Sequence, residues 1–238
     1  MTTINVNAVE PAGATLTIGE TGDTVKVNDS VNVNTVKDAG GNTLWVSNGS
    51  GVLSSVSGFG DSLVLLSTQT ASSSANISFS SGIDSTYKEY VFKFIDIHPA
   101  TNNANFSFQV NPVGGSGFNQ TITSTAFYVQ HTESDSAAEM GYSGDVDQAE
   151  GTAYQPVIPY IGNGSDVCGV GKLQLFEPSS TTYVKNFIIT SCTYDNGDTC
   201  MQYYIAGYIN TTSAIDEIDF KFSSGNTDAG TIKMYGVK

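Results

Sequence analysis

The side chains able to do chemistry are few and widely spread. There are two histidines, His98 and His131, and three cysteines, Cys168, Cys192 and Cys200. His98 precedes Pro99 in a turn-rich stretch, and His131 closes an alternating segment and opens an acidic one. Zinc needs three or four His, Cys or carboxylate ligands at close spacing, and this set offers no such grouping. A serine nucleophile needs a strained elbow of the Gly-x-Ser-x-Gly kind. GGSGF at 114–118 and GYSGD at 141–145 have only the composition of turns. Glycine loops that cradle phosphates have no match either.

Carboxylates are the remaining catalytic option. Glu133, Asp135, Glu139, Asp145, Asp147 and Glu150 fall close together, and no basic residue occurs between Lys93 and Lys172. Cleavage of a glycoside needs two carboxyl groups facing across a groove. Ca²⁺ takes several carboxylate and carbonyl oxygens, and Asp145-Val146-Asp147 is the best nucleus for it, without the spacing of an EF-hand. A solvated acidic loop is the plainer reading. No cofactor is expected, with Ca²⁺ at Asp145 and Asp147 as the alternative.

Tyrosines are the better candidates for recognition, because a flat apolar ring with a polar tip stacks on sugars. Tyr142, Tyr154 and Tyr160 lie in the irregular stretch 132–165, and loops commonly carry binding. Tyr204 and Tyr208 share one strand face, opposite the face that carries Tyr203 and Ile205. Cys192 and Cys200 bracket TYDNGDT and could face each other across a hairpin. An odd number of cysteines argues against a disulfide framework, and reduced thiols are the simpler reading.

Charge narrows the partners. The formal net charge is −14, and all nine basic residues are Lys, with no Arg. Phosphate contacts need clustered Lys and Arg, so nucleic-acid binding is not expected. No apolar run reaches the roughly 18 residues of a membrane span. The opening residues lack a basic region followed by an apolar one, so synthesis in a cytosol without a signal peptide is expected.

These side chains must be positioned by strands. Only 13% of residues are charged, and Ser, Thr, Asn, Gln and Gly supply the polar surface. Such a composition favours turns and strands over helices. Segments 62–70, 76–79, 87–97, 105–110, 121–131, 172–176, 182–190, 200–209, 215–222 and 231–237 read as strands with Gly, Pro and Asn punctuation. The expected fold class is all-β: an antiparallel, jelly-roll-like sandwich over 63–238, preceded by an extended β arm or trimeric β shaft over 1–62.

The division rests on bulk. Trp45 and Phe59 are the only aromatics in residues 1–62, and the other 23 of 25 follow. The first segment carries short alternating pairs instead: Leu16 and Ile18, Val25 and Val27, Val31 and Val33, Leu44 and Val46. Strands so short are expected to need partners beyond their own chain. Three copies around one axis would give these eight side chains a shared core, the logic of repeat units that cannot bury their own face. A homotrimer is therefore expected.

Several stretches carry a resemblance. GETGDTVKVNDSVNVNTV, GNTLWVSNGSGVLSSV, YKEYVFKFIDIHPATNNANFSFQV, LQLFEPSSTTYVKNF and the terminal GTIKMYGVK resemble marine bacteriophage virion proteins of the tail-fibre and capsid-fibre type. The resemblance implies a homotrimeric appendage of the virion, assembled in the host cytoplasm, attached to other virion proteins through residues 1–62. Its β-rich head is expected to contact a glycan or protein of the host surface. It carries over no catalytic residues, and the chain is not expected to be an enzyme. The alternative is a capsid decoration or head-fibre protein that stabilises the shell. A polysaccharide-cleaving enzyme and a secreted carbohydrate-binding module are the weaker readings.

Overall fold

The computed structural model describes residues 35–38, 40–47, 53–56, 63–195 and 197–238. The chain divides into two units, Met1–Gly60 and Asp61–Lys238. No helix occurs among the described residues, and every strand pairing is antiparallel.

In the first unit, β1 (Thr35–Lys37), β2 (Thr43–Ser47) and β3 (Leu53–Val56) form one sheet with β2 at its centre. Trp45 lies opposite Val36 on one side and Val56 on the other. The β1–β2 turn is tied by Asp38, whose carboxylate accepts from the Asn42 backbone at 2.8 Å and from its side chain at 3.0 Å. β1, β2 and β3 pair with one another within the chain. Leu44 and Val46 sit on β2, half-buried. Leu16, Ile18, Val25, Val27, Val31 and Val33 lie outside the described residues.

The second unit contains the core. Its strands are β4 (Leu63–Thr70), β5 (Ile77–Phe79), β6 (Glu89–Pro99), β7 (Ala104–Pro112), β8 (Ile122–Thr132), β9 (Ala138–Tyr142), β10 (Gln155–Ile161), β11 (Gly169–Phe176), β12 (Lys185–Tyr194), β13 (Thr199–Ile209), β14 (Ile215–Phe222) and β15 (Thr227–Val237). They form an eight-stranded sheet, β4-β15-β6-β11-β12-β13-β8-β9, and a four-stranded sheet, β10-β7-β14-β5.

Eight of these strands pair like one long ribbon doubled back on itself. The first pairs with the last (β4 with β15), the second with the seventh (β5 with β14), the third with the sixth (β6 with β11) and the fourth with the fifth (β7 with β10). Rolling the ribbon then sets β15 against β6 and β14 against β7. This connectivity makes the sandwich a jelly roll. The other four strands are two insertions, β8–β9 between β7 and β10, and β12–β13 between β11 and β14. Both extend the large sheet beyond its β11 edge.

The inward faces hold the two sheets together through phenylalanine. Phe220 of β14 touches Phe79, Phe92, Phe94, Phe106 and Phe108, with ring centroids 5.3–6.5 Å apart. These rings are essentially inaccessible to solvent. Each such pair adds about 0.5–1.5 kcal/mol beyond the area it buries.

A bulge in β6 sets which side chains join this cluster. Phe92 and Phe94 face inward at even positions, whereas Ile97 and Pro99 face inward at odd ones. The switch falls at Asp96, which takes a positive φ of 53°. One extra residue in a strand reverses its alternation in this way. Gly230 of β15 lies against the bulge at φ 130°, where a Cβ would come within 2.8 Å of Ile97 Cδ1.

The stretch 132–165 is not one irregular loop, as its composition leads one to expect. It contains β9 and β10. β10 carries Pro156 and Pro159, which suppress a strand pattern in sequence, but it is an edge strand, where a missing N–H is tolerated.

Candidate functional site

The two insertions create an outward sheet face that is left uncovered among the described residues of this unit. β13 pairs with β8 without a register break, from Thr199 opposite Thr132 to Ile209 opposite Ile122. Met201, Tyr203 and Ile205 point into the core, so Gln202, Tyr204 and Ala206 point out. On β8, Ile122 and Ala126 are buried, while Phe127 and Val129 are exposed.

The register lines up an aromatic row. Tyr204 is opposite Phe127, and Phe127 is opposite Tyr142 of β9. Phe127 and Tyr204 stack nearly parallel, with centroids 4.9 Å apart and planes 14° apart. In the neighbouring row Gln202, Val129 and Met140 stand side by side. Met140 and Tyr142 are 72% and 61% exposed, unusually high for large apolar side chains. A shallow hollow of about 470 Å³ opens over Phe127, Met140, Gly141 and Tyr142. A second, of about 220 Å³, lies between Phe127, Ile188, Tyr204 and Ala206.

Polar tips fix the rings. Gln202 Nε2 donates to Tyr204 Oη at 2.7 Å. The Tyr142 hydroxyl donates to Asp147 Oδ2, and this bond first of all pushes its pKa above the ordinary tyrosine value. Tyr142 therefore stays neutral in the range where a ligand would bind.

The five tyrosines singled out in sequence do not form one site. Tyr142 and Tyr204 belong to the row. Tyr154 is half-buried on the outward side of the small sheet, its hydroxyl 2.9 Å from Asp219 Oδ2 and the Lys221 ammonium 4.1 Å above its ring. Burial, then that hydrogen bond, push its pKa far up. Tyr160 of β10 packs against the core, with its ring 6.4 Å from that of Tyr203. Tyr208 is half-buried near the end of β13, between Asn186 and Thr123.

The two aspartates are parted in the same way. Val146 between them is fully buried, so they flank it at the surface. Asp147 is occupied by Tyr142, whereas Asp145 is exposed. Among the described residues no group of three or more His, Cys, Asp or Glu is placed to hold a metal ion. A separate polar cleft of about 380 Å³ is lined by Asn102, Asn163, Asp166, Tyr194, Asp195 and Asp198.

Phe127, Val129, Met140 and Ile188 are the members of the site that sequence reasoning missed. Alternation in TITSTAFYVQH puts Phe127 and Val129 on one face and Ala126 and Tyr128 on the other. The usual preference for burying the larger apolar side chain would then turn Phe127 inward. In the structure the small Ala126 is the one opposite the buried Ile205.

Compared with known proteins, the chain matches no family model, no curated protein and no solved structure.

Proposed function

We propose that this chain is a structural protein of a phage particle, a homotrimeric fibre attached through residues 1–62, whose jelly-roll head contacts a glycan of the host surface. The observation that carries the reading is the exposed row of Tyr204, Phe127 and Tyr142. Three adjacent rings on one sheet face, two of them tied by hydrogen bonds, offer apolar faces at little ordering cost, which suits the apolar face of a sugar. The ligand is a neutral glycan, because a chain of net charge −14 repels sulfated or uronic ones. The chemistry-bearing residues support a binding role: no nucleophile, base and orienting group come together around the row. The stretches resembling virion fibre proteins support the particle.

Binding of the purified chain to host cells, and to their extracted polysaccharide, tests this. Tyr204→Ala and Tyr142→Ala are expected to reduce binding at least tenfold while the protein stays folded. Binding unchanged in both variants would sink the glycan reading. Light scattering reports the oligomer, and a trimer is expected.

Met140 favours a second reading. An exposed thioether beside aromatic rings also suits a lasting protein contact, since Met and aromatics are enriched at interface cores. In that case the same face covers a capsid subunit, as a decoration protein does. Hundreds of copies per particle, rather than tens, would point to it.

A further inference from the structure

All three cysteines of the chain lie along one end of the large sheet: Cys168 immediately before β11, Cys192 on β12 and Cys200 on β13. Cys192 and Cys200 stand on the same outward face, at diagonal positions across the β12–β13 hairpin. Cys192 is opposite Gln202, and Cys200 is opposite Tyr194. Their sulfurs are 4.0 Å apart. The hairpin end beside them is held firmly: Asp195 N donates to Thr199 O at 3.0 Å, and Asp195 Oδ1 accepts from Gly197 N at 2.7 Å and Thr199 N at 3.1 Å. The right-handed twist of a two-stranded ribbon shortens one diagonal relative to the other. A disulfide needs sulfurs about 2 Å apart, so closing this pair means drawing the two sulfurs together from 4.0 Å. Cys168 lies within electrostatic reach of Cys192, and its sulfur is 3.9 Å from Asp96 Oδ1.

We infer that Cys192 and Cys200 are a disulfide-forming pair that staples the β12–β13 hairpin when the protein meets a disulfide oxidant such as glutathione disulfide. Cys200 is exposed and reacts first. Its thiol gives up a proton, and the thiolate attacks one sulfur of glutathione disulfide. A mixed disulfide forms and one glutathione thiolate leaves, taking up a proton. Cys192 then loses its proton and attacks Cys200 Sγ, which expels the second glutathione. The two cysteine thiols are oxidised by two electrons in total, and glutathione disulfide is reduced to two thiols. Cys192 is the more enclosed partner, and burial first, then the neighbouring Cys200, push its thiol pKa up. This fits the order of steps, because the more enclosed thiol acts second and only within the hairpin.

The test uses the full chain, freshly reduced and then incubated with glutathione disulfide. Remaining thiols are trapped with a maleimide, and the protein is digested for mass spectrometry. A peptide pair linked through Cys192 and Cys200 is expected, with the maleimide on Cys168 alone. The free-thiol count should fall from three to one. Cys168→Ser should form the same link at the same rate, and Cys200→Ser should form none. The inference is overturned by a lasting glutathione adduct on Cys200, by a link that uses Cys168, or by three thiols that all remain free. The Cys168→Ser and unaltered proteins decide the matter even if Cys200→Ser does not fold.

Discussion

The Tyr154 hydroxyl donates to the Asp219 carboxylate at 2.9 Å, joining the end of the 143–155 segment to the outward side of β14. Asp219 is 2% exposed and also accepts from Asn76 Nδ2 at 2.9 Å and from the Ser78 hydroxyl. A buried carboxylate is tolerable only when donors surround it in this way. Tyr154→Phe removes one donor to a charged acceptor and should cost about 1.5–3 kcal/mol. Asp219→Ala strands three donors and should cost more, about 3–5 kcal/mol. Chemical denaturation of the two variants checks the order. A Tyr154→Phe midpoint equal to that of the unaltered protein would show that the carboxylate does not depend on Tyr154.

Phe220 is the meeting point of five other rings. Phe220→Ala leaves a cavity between the sheets and should destabilise the second unit by about 3–5 kcal/mol. Thermal unfolding would show a melting point lowered by many degrees. A shift no larger than that of a surface variant would mean that the two sheets are held together elsewhere.

Phe127 and Tyr204 are stacked but stand on the solvent side. Phe127→Ala should therefore cost only about 0.5–1.5 kcal/mol. Circular dichroism should remain that of the parent, and ligand binding should carry most of the loss. A collapse in stability like that of Phe220→Ala would show that this face is covered in the native assembly.

Tyr194 gives a readout at high pH. Its hydroxyl donates to Asp198 Oδ1 at 2.7 Å, and this bond first, with the nearby acids Glu133 and Asp166, pushes its pKa up to about 12. An unfolded tyrosine titrates near ~10, so the folded state favours the neutral phenol. The resulting stability is complete below about pH 10 and is lost as pH rises through the folded value. Absorbance titration of tyrosinate should show several late phenols, of which the Tyr194 one moves earlier in Asp198→Asn. A titration unchanged by that substitution would detach the shift from Asp198.

Much of the fold was legible because most strands here are punctuated and alternate. The segment read as 215–222 is β14 to the residue, 62–70 begins one position before β4, and 121–131 is offset from β8 by one position at both ends. Strand order was not legible, because it depends on which ribbon closes on which, and nothing local encodes that. β9 and β10 were lost for separate reasons. β9 is five residues with only Met140 and Tyr142 as large side chains, and β10 is interrupted by two prolines.

The candidate site was half legible. Tyr204 follows from the opposition of Tyr203 and Tyr204 along one strand. Its partners belong to β8 and β9, and only the register brings them beside it. Lys185 shows the limit of pattern in the other direction. It occupies an inward, fully buried position at the start of β12, where its ammonium donates to the carbonyls of Tyr183 at 2.8 Å and Thr211 at 3.2 Å. A lysine in that place reads as surface until those two carbonyls are known.

The pairing of β4 with β15 has a kinetic side. Val237 sits opposite Leu63, and β15 also fills the place between β4 and β6. While the chain is still on the ribosome, β4 and β6, which end at Thr70 and Pro99, wait with unsatisfied edges until β15 is made from Thr227 onward. Contacts so far apart in sequence fold slowly. The roll thus closes only after translation has passed its last strand, and a messenger cut short before that point yields an open, sticky half-sheet rather than a smaller folded domain.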